Sequence, residues 1–224
     1  MTFLIPLHKL RYYGGLSYTY EQHHFLQYYQ CGPSYLFRFY QKHQPKNIFE
    51  KHYLKAPTNR TNLPDGSSFN NPWVYGVPWL FTHDGNSTGD KGLGPEHGAQ
   101  SFGPISKQKY KMEIIRLDQI LKSIKTKGFI PESGSDGYPR GYFLMNSNDD
   151  WVFFLGAGLH RVAAMAHLGY DLIPVQFKQN FPRLIKQADS SVWPMVKQGV
   201  LSKDEAEKIF MQYMVRNPVV NGAG

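Results

Sequence analysis

Between Phe153 and Phe177 the chain reads FFLGAGLHRVAAMAHLGYDLIPVQF, and that order of residue types admits few local folds. An aromatic, apolar run suited to a buried strand stops at Gly156-Ala157-Gly158. An alanine-rich stretch of helical period follows, and Leu168-Gly169 returns the chain to a second apolar run, LIPVQF. The spacing predicts strand, tight turn, helix, strand, with Ala163, Ala164 and Ala166 letting the helix lie close on a sheet. The first amides of such a helix have no intrahelical partner and carry partial positive charge, so they suit an anion. Gly156 and Gly158 let a ligand approach the backbone, and the Leu159 amide comes next. His160 and Arg161 add a tunable donor and a fixed bidentate one. This is the pattern of a phosphate cradle. The same letters also fit a plain strand-to-helix turn with a surface arginine, so both readings stand at this point.

The flanking sequence predicts more of a sheet-and-helix unit. Leu117, Ile120, Leu121 and Ile124 fall on one helical face, and Gly128 ends that helix. GYFLM and WVFFL flank the turn-rich NSNDD, which reads as a β-hairpin. Ser202 and Glu205 form a capping box that opens a helix with Ala206, Ile209, Phe210 and Tyr213 on one face. Upstream, aromatic residues at helical spacing predict two short helices over 21–30 and 34–44, broken at Cys31-Gly32-Pro33. Residues 55–106 are rich in Gly, Pro, Asn and Ser, yet carry Trp73, Tyr75, Trp79, Phe81 and Phe102, and read as ordered coil packed on the core. The chain thus divides into an aromatic helical extension (1–54), the ordered loop region (55–106), a core (107–180) and a helical tail (181–224). All four are expected to form one compact α+β unit.

Composition narrows the chemistry. A formal charge of +8 favours anionic partners, but no block of like charges marks a nucleic-acid tail, so long nucleic acids are not favoured. One cysteine, Cys31, excludes an intramolecular disulfide and a cysteine-based zinc site within the chain. MTFLIPLHKL is too short in its apolar run for a secretory signal, and no run approaches a membrane span. A cytoplasmic protein without a membrane partner is the expectation.

The order of helix, proline, hairpin, G-x-x-R box, Ala-Ala, Leu-Gly and Ile-Pro-Val strand resembles the ParB/sulfiredoxin-like superfamily over roughly residues 114–177. Its elements here are Ser123-Ile124, Gly128, Pro131, Gly158, Arg161, Ala163-Ala164 and Leu168-Gly169. The resemblance implies a small mixed sheet with flanking helices and a pocket for nucleotide phosphates. Leu159 stands where sulfiredoxin-like members carry the catalytic cysteine, which excludes sulfinic-acid reduction. Ala157 stands where free-serine-kinase-like members carry an acidic residue. ParB proper binds CTP and continues into a helix-turn-helix domain, for which the short tail here leaves little chain.

The implied ligand is a nucleoside triphosphate, ATP or CTP, with or without Mg²⁺. Candidate phosphate-binding residues are Gly156, Gly158, Leu159, His160, Arg161 and Arg140, the last at the hairpin's entry. Candidate catalytic residues are His160 and the adjacent Glu96 and His97 in a glycine-flanked loop, a general acid/base pair or a hold on metal-bound phosphate. A polar turn whose Glu and His cap backbone groups is the alternative for that pair. His23-His24 has no ligand spacing and reads as core or interface, and Trp193-Pro194 as packing. The function expected is phosphoryl transfer to a small hydroxyl-bearing substrate or nucleotide hydrolysis. The rivals are a nucleotide-binding regulatory module without chemistry and a ParB-like nucleic-acid-binding protein or nuclease.

Overall fold

The computed structural model describes residues 1–56, 76–80, 93–131 and 137–215. The chain adopts the α+β class: among these residues a mixed sheet of six strands is flanked by seven α-helices. The strands are β1 (Phe3–Pro6), β2 (Leu10–Arg11), β3 (Arg140–Met145), β4 (Trp151–Ala157), β5 (Leu172–Phe177) and β6 (Leu184–Lys186). The helices are α1 (His24–Cys31), α2 (Pro33–Lys42), α3 (Ile48–Lys51), α4 (Lys107–Lys127), α5 (Leu159–His167), α6 (Pro194–Lys197) and α7 (Lys203–Met214).

The hairpin forms as its sequence predicts. Met145 pairs with Trp151 at the turn and Gly141 with Leu155 further in, in antiparallel register. Asn146 Oδ1 closes the turn by accepting from the amides of Asn148 and Asp150, each at 2.9 Å. From β4 the chain passes through α5 to β5, which runs parallel to β3. The strand order is β1-β5-β3-β4-β2, with β6 continuing the pairing along β3.

Aromatic spacing predicts a helical extension over residues 1–54, but the structure is not purely helical there. Their opening supplies two strands, β1 antiparallel to β5 and β2 parallel to β4. Four and two residues, interrupted by Pro6 and a 3₁₀ turn at Leu7–Lys9, are too short to show a period of two. The α1–α2 pair follows, Pro33 occupying the first turn of α2, where its missing N–H costs nothing.

Alternation along the strands makes two cores. Phe153, Leu155, Ile173 and Val175 face α1, α4 and α5, whereas Tyr142, Leu144, Val152 and Phe154 face Trp79, Trp193 and the apolar side of α7. Trp193 is buried, in keeping with a packing role, and the Arg11 guanidinium donates to the Tyr213 carbonyl at 2.9 Å, tying the opening of the chain to α7. Within the 55–106 stretch, Trp79 and Phe102 are buried. Trp73, Tyr75 and Phe81 lie outside the described residues. No helix among the described residues is long and apolar enough to cross a membrane.

The capping box of α7 is complete: Glu205 N–H donates to Ser202 Oγ at 3.2 Å, and Ser202 N–H to Glu205 Oε2 at 2.7 Å. Ser202→Ala lowers stability by about 1 kcal/mol. A thermal melt registers this as a drop of roughly 2–4 °C.

Candidate functional site

The turn from β4 into α5 is the centre of the candidate site. Gly158, the residue before α5, has φ +84 and ψ 20, a left-handed conformation that a side chain resists. A Cβ there would also stand 2.7 Å from Pro139 Cα and 3.2 Å from Arg161 Nη2, so the Arg161 guanidinium folds back against this glycine. On Gly156 a Cβ would stand 3.6 Å from Lys178 Nζ. Arg140 begins β3 directly across the ladder from Ala157. Two cationic side chains therefore flank the glycine turn, and a third residue of the same charge begins in register with it. Among the described residues no side-chain hydrogen bond caps α5, and its first turn holds no acidic residue. The positive end of the helix is left to the backbone amides.

Sequence-predicted residues divide at this turn. Leu159 is 1% exposed and packs into the first core, so only its amide faces the turn's chemistry. His160 also turns inward. Its ring stacks on Phe25 with centroids 4.4 Å apart, and its Nε2–H donates to Glu113 Oε2 at 2.5 Å. The other oxygen of Glu113 takes Lys109 Nζ at 3.1 Å, with Arg116 Nη1 further off at 3.9 Å. Glu113 and Lys109 are both buried. Burial alone would raise the Glu113 pKa, but His160 first, then Lys109 and Arg116, outweigh it and hold the carboxyl below its usual range. A carboxylate fixed on one imidazole nitrogen sets the tautomer and ring orientation.

Lys109 and Glu113 are functional candidates that the sequence pattern conceals. They precede Leu117 and Ile124 on the buried stripe of α4, where charged letters break the apolar period. The one available signal is that a Lys and a Glu four residues apart fall in line with that stripe.

Glu96 and His97 are placed elsewhere. His97 Nδ1 bonds Ser106 Oγ at 2.8 Å, and its Nε2 lies 3.4 Å from Glu96 Oε1. Ser106 in turn accepts from the Lys109 amide at 3.1 Å, capping α4. The pair thus braces the start of α4, two helical turns or about 10 Å from Glu113, and does not touch His160. His23 and His24 are buried beside Phe25, as a core reading requires, their rings stacked 5.2 Å apart. Among the described residues no three His, Cys, Asp or Glu side chains are grouped to hold a metal ion.

Compared with known proteins, the chain matches no protein-family model and no curated sequence.

Proposed function

We propose that this chain binds a nucleoside triphosphate, ATP or CTP with or without Mg²⁺, by its phosphates at the Gly156–Arg161 turn of a ParB/sulfiredoxin-like core. The observation that carries this reading is the placement of Arg161 Nη2 and Lys178 Nζ against the two glycines at the positive end of α5. An anion there meets helix amides, a guanidinium and an ammonium together, the set that recognises phosphate. Gly156 supplies the close approach, and Gly158 the left-handed turn that packs on Pro139. Arg140, across from Ala157, extends the positive field along the turn.

The chemistry proposed on that site is phosphoryl transfer to a small hydroxyl-bearing substrate, or hydrolysis. Glu113 orients His160, and His160 takes or gives the proton. Glu96 and His97 enter only by fixing α4, the helix that carries Glu113. A second reading is favoured by one observation: the His160 side chain is only 8% exposed and faces the core. In that reading the pair is structural, and the chain is a nucleotide-binding regulatory module without turnover.

Calorimetric titration with ATP and CTP in the presence of Mg²⁺ tests binding. Arg161→Ala loses a charge-assisted bond worth about 1.5–3 kcal/mol, a drop in affinity of roughly 10–100-fold. No binding at millimolar nucleotide by the wild-type protein would remove the proposal. Phosphate release that disappears in His160→Gln, with nucleotide binding retained, selects the enzyme. Binding without release selects the regulatory module.

A further inference from the structure

On the sheet face that carries α1, α4 and α5, the helical cover does not reach the hairpin end. An open groove of about 590 Å³ remains between β1, β3, β4 and β6. Ile5, 4% exposed, lies at its base, and Phe3, Phe143, Trp151 and Phe177 form its aromatic lining. Met145 adds an adaptable wall, and Leu4 and Leu184 stand at the rim, 63% and 40% exposed. Among the described residues Arg183 is the one ionisable side chain in the lining, exposed to solvent, with its guanidinium 5.3 Å over the Phe177 ring. At the other end Lys9 Nζ sits 5.1 Å over Trp151. Among the described residues no carboxylate lines the groove, and the chain as a whole carries +8.

Three occupants can be weighed on these facts. Stacked bases need open ring faces. Here the faces of Phe177 and Trp151 are taken by Arg183 and Lys9, and Phe3 packs edge-on against Phe143 and Phe177. A second protein copy needs roughly 800 Å² from each partner, far more than two rim leucines and a groove present. An aliphatic chain asks only for apolar walls, and a volume in the range of about 300–1,000 Å³ is that of a small-molecule site. The cation at the mouth then decides the charge of its head group.

We infer that this groove binds a free long-chain aliphatic anion of the fatty-carboxylate class, its chain between Phe3, Phe143 and Trp151 and its head group on Arg183. The site is separate from the glycine turn and does not depend on nucleotide binding.

Calorimetry with dodecanoate below its micelle concentration, on the full chain, tests this. Dodecanoate binds one to one, and dodecanol at least 10-fold more weakly. Arg183→Ala weakens dodecanoate by at least 10-fold and abolishes the preference for it over dodecanol. Leu184→Glu, at a solvent-facing position, abolishes binding while the circular dichroism spectrum and melting temperature stay at wild-type values. The inference is overturned if dodecanol binds as tightly as dodecanoate, or if Leu184→Glu binds as the wild type does. It is equally overturned if dodecanoate does not bind and the face instead captures anionic vesicles, a 12-mer oligothymidine, or a second copy seen by sedimentation.

Discussion

Acidification unfolds this protein at about pH 5, above the range in which ordinary carboxylates titrate. The cause is a set of imidazoles buried in the neutral form. Burial lowers the pKa of His23 well below its ordinary value and brings those of His24 and His52 down to about 3. His43, less enclosed, is lowered by the same effect to about 4. In the unfolded chain each of these rings takes up a proton below about pH 6.5, whereas in the native state it does not. The unfolded state therefore binds more protons, and stability falls as pH falls, by about 1.4 kcal/mol per pH unit for each ring. The loss begins near pH 6.5 and continues until the native rings themselves protonate. For His24, His52 and His43 together the loss at pH 5 is about 6 kcal/mol, comparable to the whole stability of a typical domain, and His23 adds to it in the same direction. Glu113 acts in the same direction at lower pH, because its native pKa is depressed and its contribution disappears as the carboxylate protonates. Tryptophan fluorescence and circular dichroism followed from pH 8 to 3.5 check this. A folded spectrum persisting to pH 3.5 would mean that the buried rings accept protons in place.

Glu113→Gln costs about 3–5 kcal/mol of stability, a fall in melting temperature of roughly 6–20 °C for a chain of this size. The carboxylate serves His160 on one oxygen and Lys109 on the other, and all three side chains are nearly inaccessible. Its neutral amide gives the buried Lys109 ammonium a weaker partner at this position, and the reduced compensation of a charge in a low-dielectric site, more than the lost bond, destabilises. Replacing the whole group by Lys109→Met, Glu113→Leu and His160→Phe therefore restores most of the lost stability. That triple variant melts well above Glu113→Gln and has no acid–base group at the base of the turn. Equal melting temperatures for wild type and Glu113→Gln would show that the carboxylate is not the keystone of this cluster.

What could be read in the letters, and what could not, follows the range of each interaction. The hairpin, α5, β5 and the capping box of α7 depend on neighbours within a few residues, and their periods and turn chemistry are visible. The glycine turn and Arg161 are local in the same way, since the guanidinium packs on a glycine three residues earlier. Glu113 is different. Its partner His160 is 47 residues away, and its own helix reads as polar until Leu117 because Lys109 and Glu113 occupy buried positions. Lys178 meets Gly156 only through the pairing of β5 with β3, which no local pattern announces. The strands β1, β2 and β6 are four, two and three residues long, too short for alternation to register, and the sheet they complete recruits them by backbone pairing. Glu96 and His97, adjacent and glycine-flanked, are placed at the start of α4, where His97 bonds Ser106, a position that their local sequence does not announce.

The measurement closest to the proposed phosphate site is a ¹⁵N–¹H amide titration with ATP and with CTP, each with Mg²⁺. Saturable downfield movement of the Leu159, His160 and Arg161 amides is expected, lost in Arg161→Ala. Saturation of the protein with either nucleotide while those three amides hold their positions would contradict it.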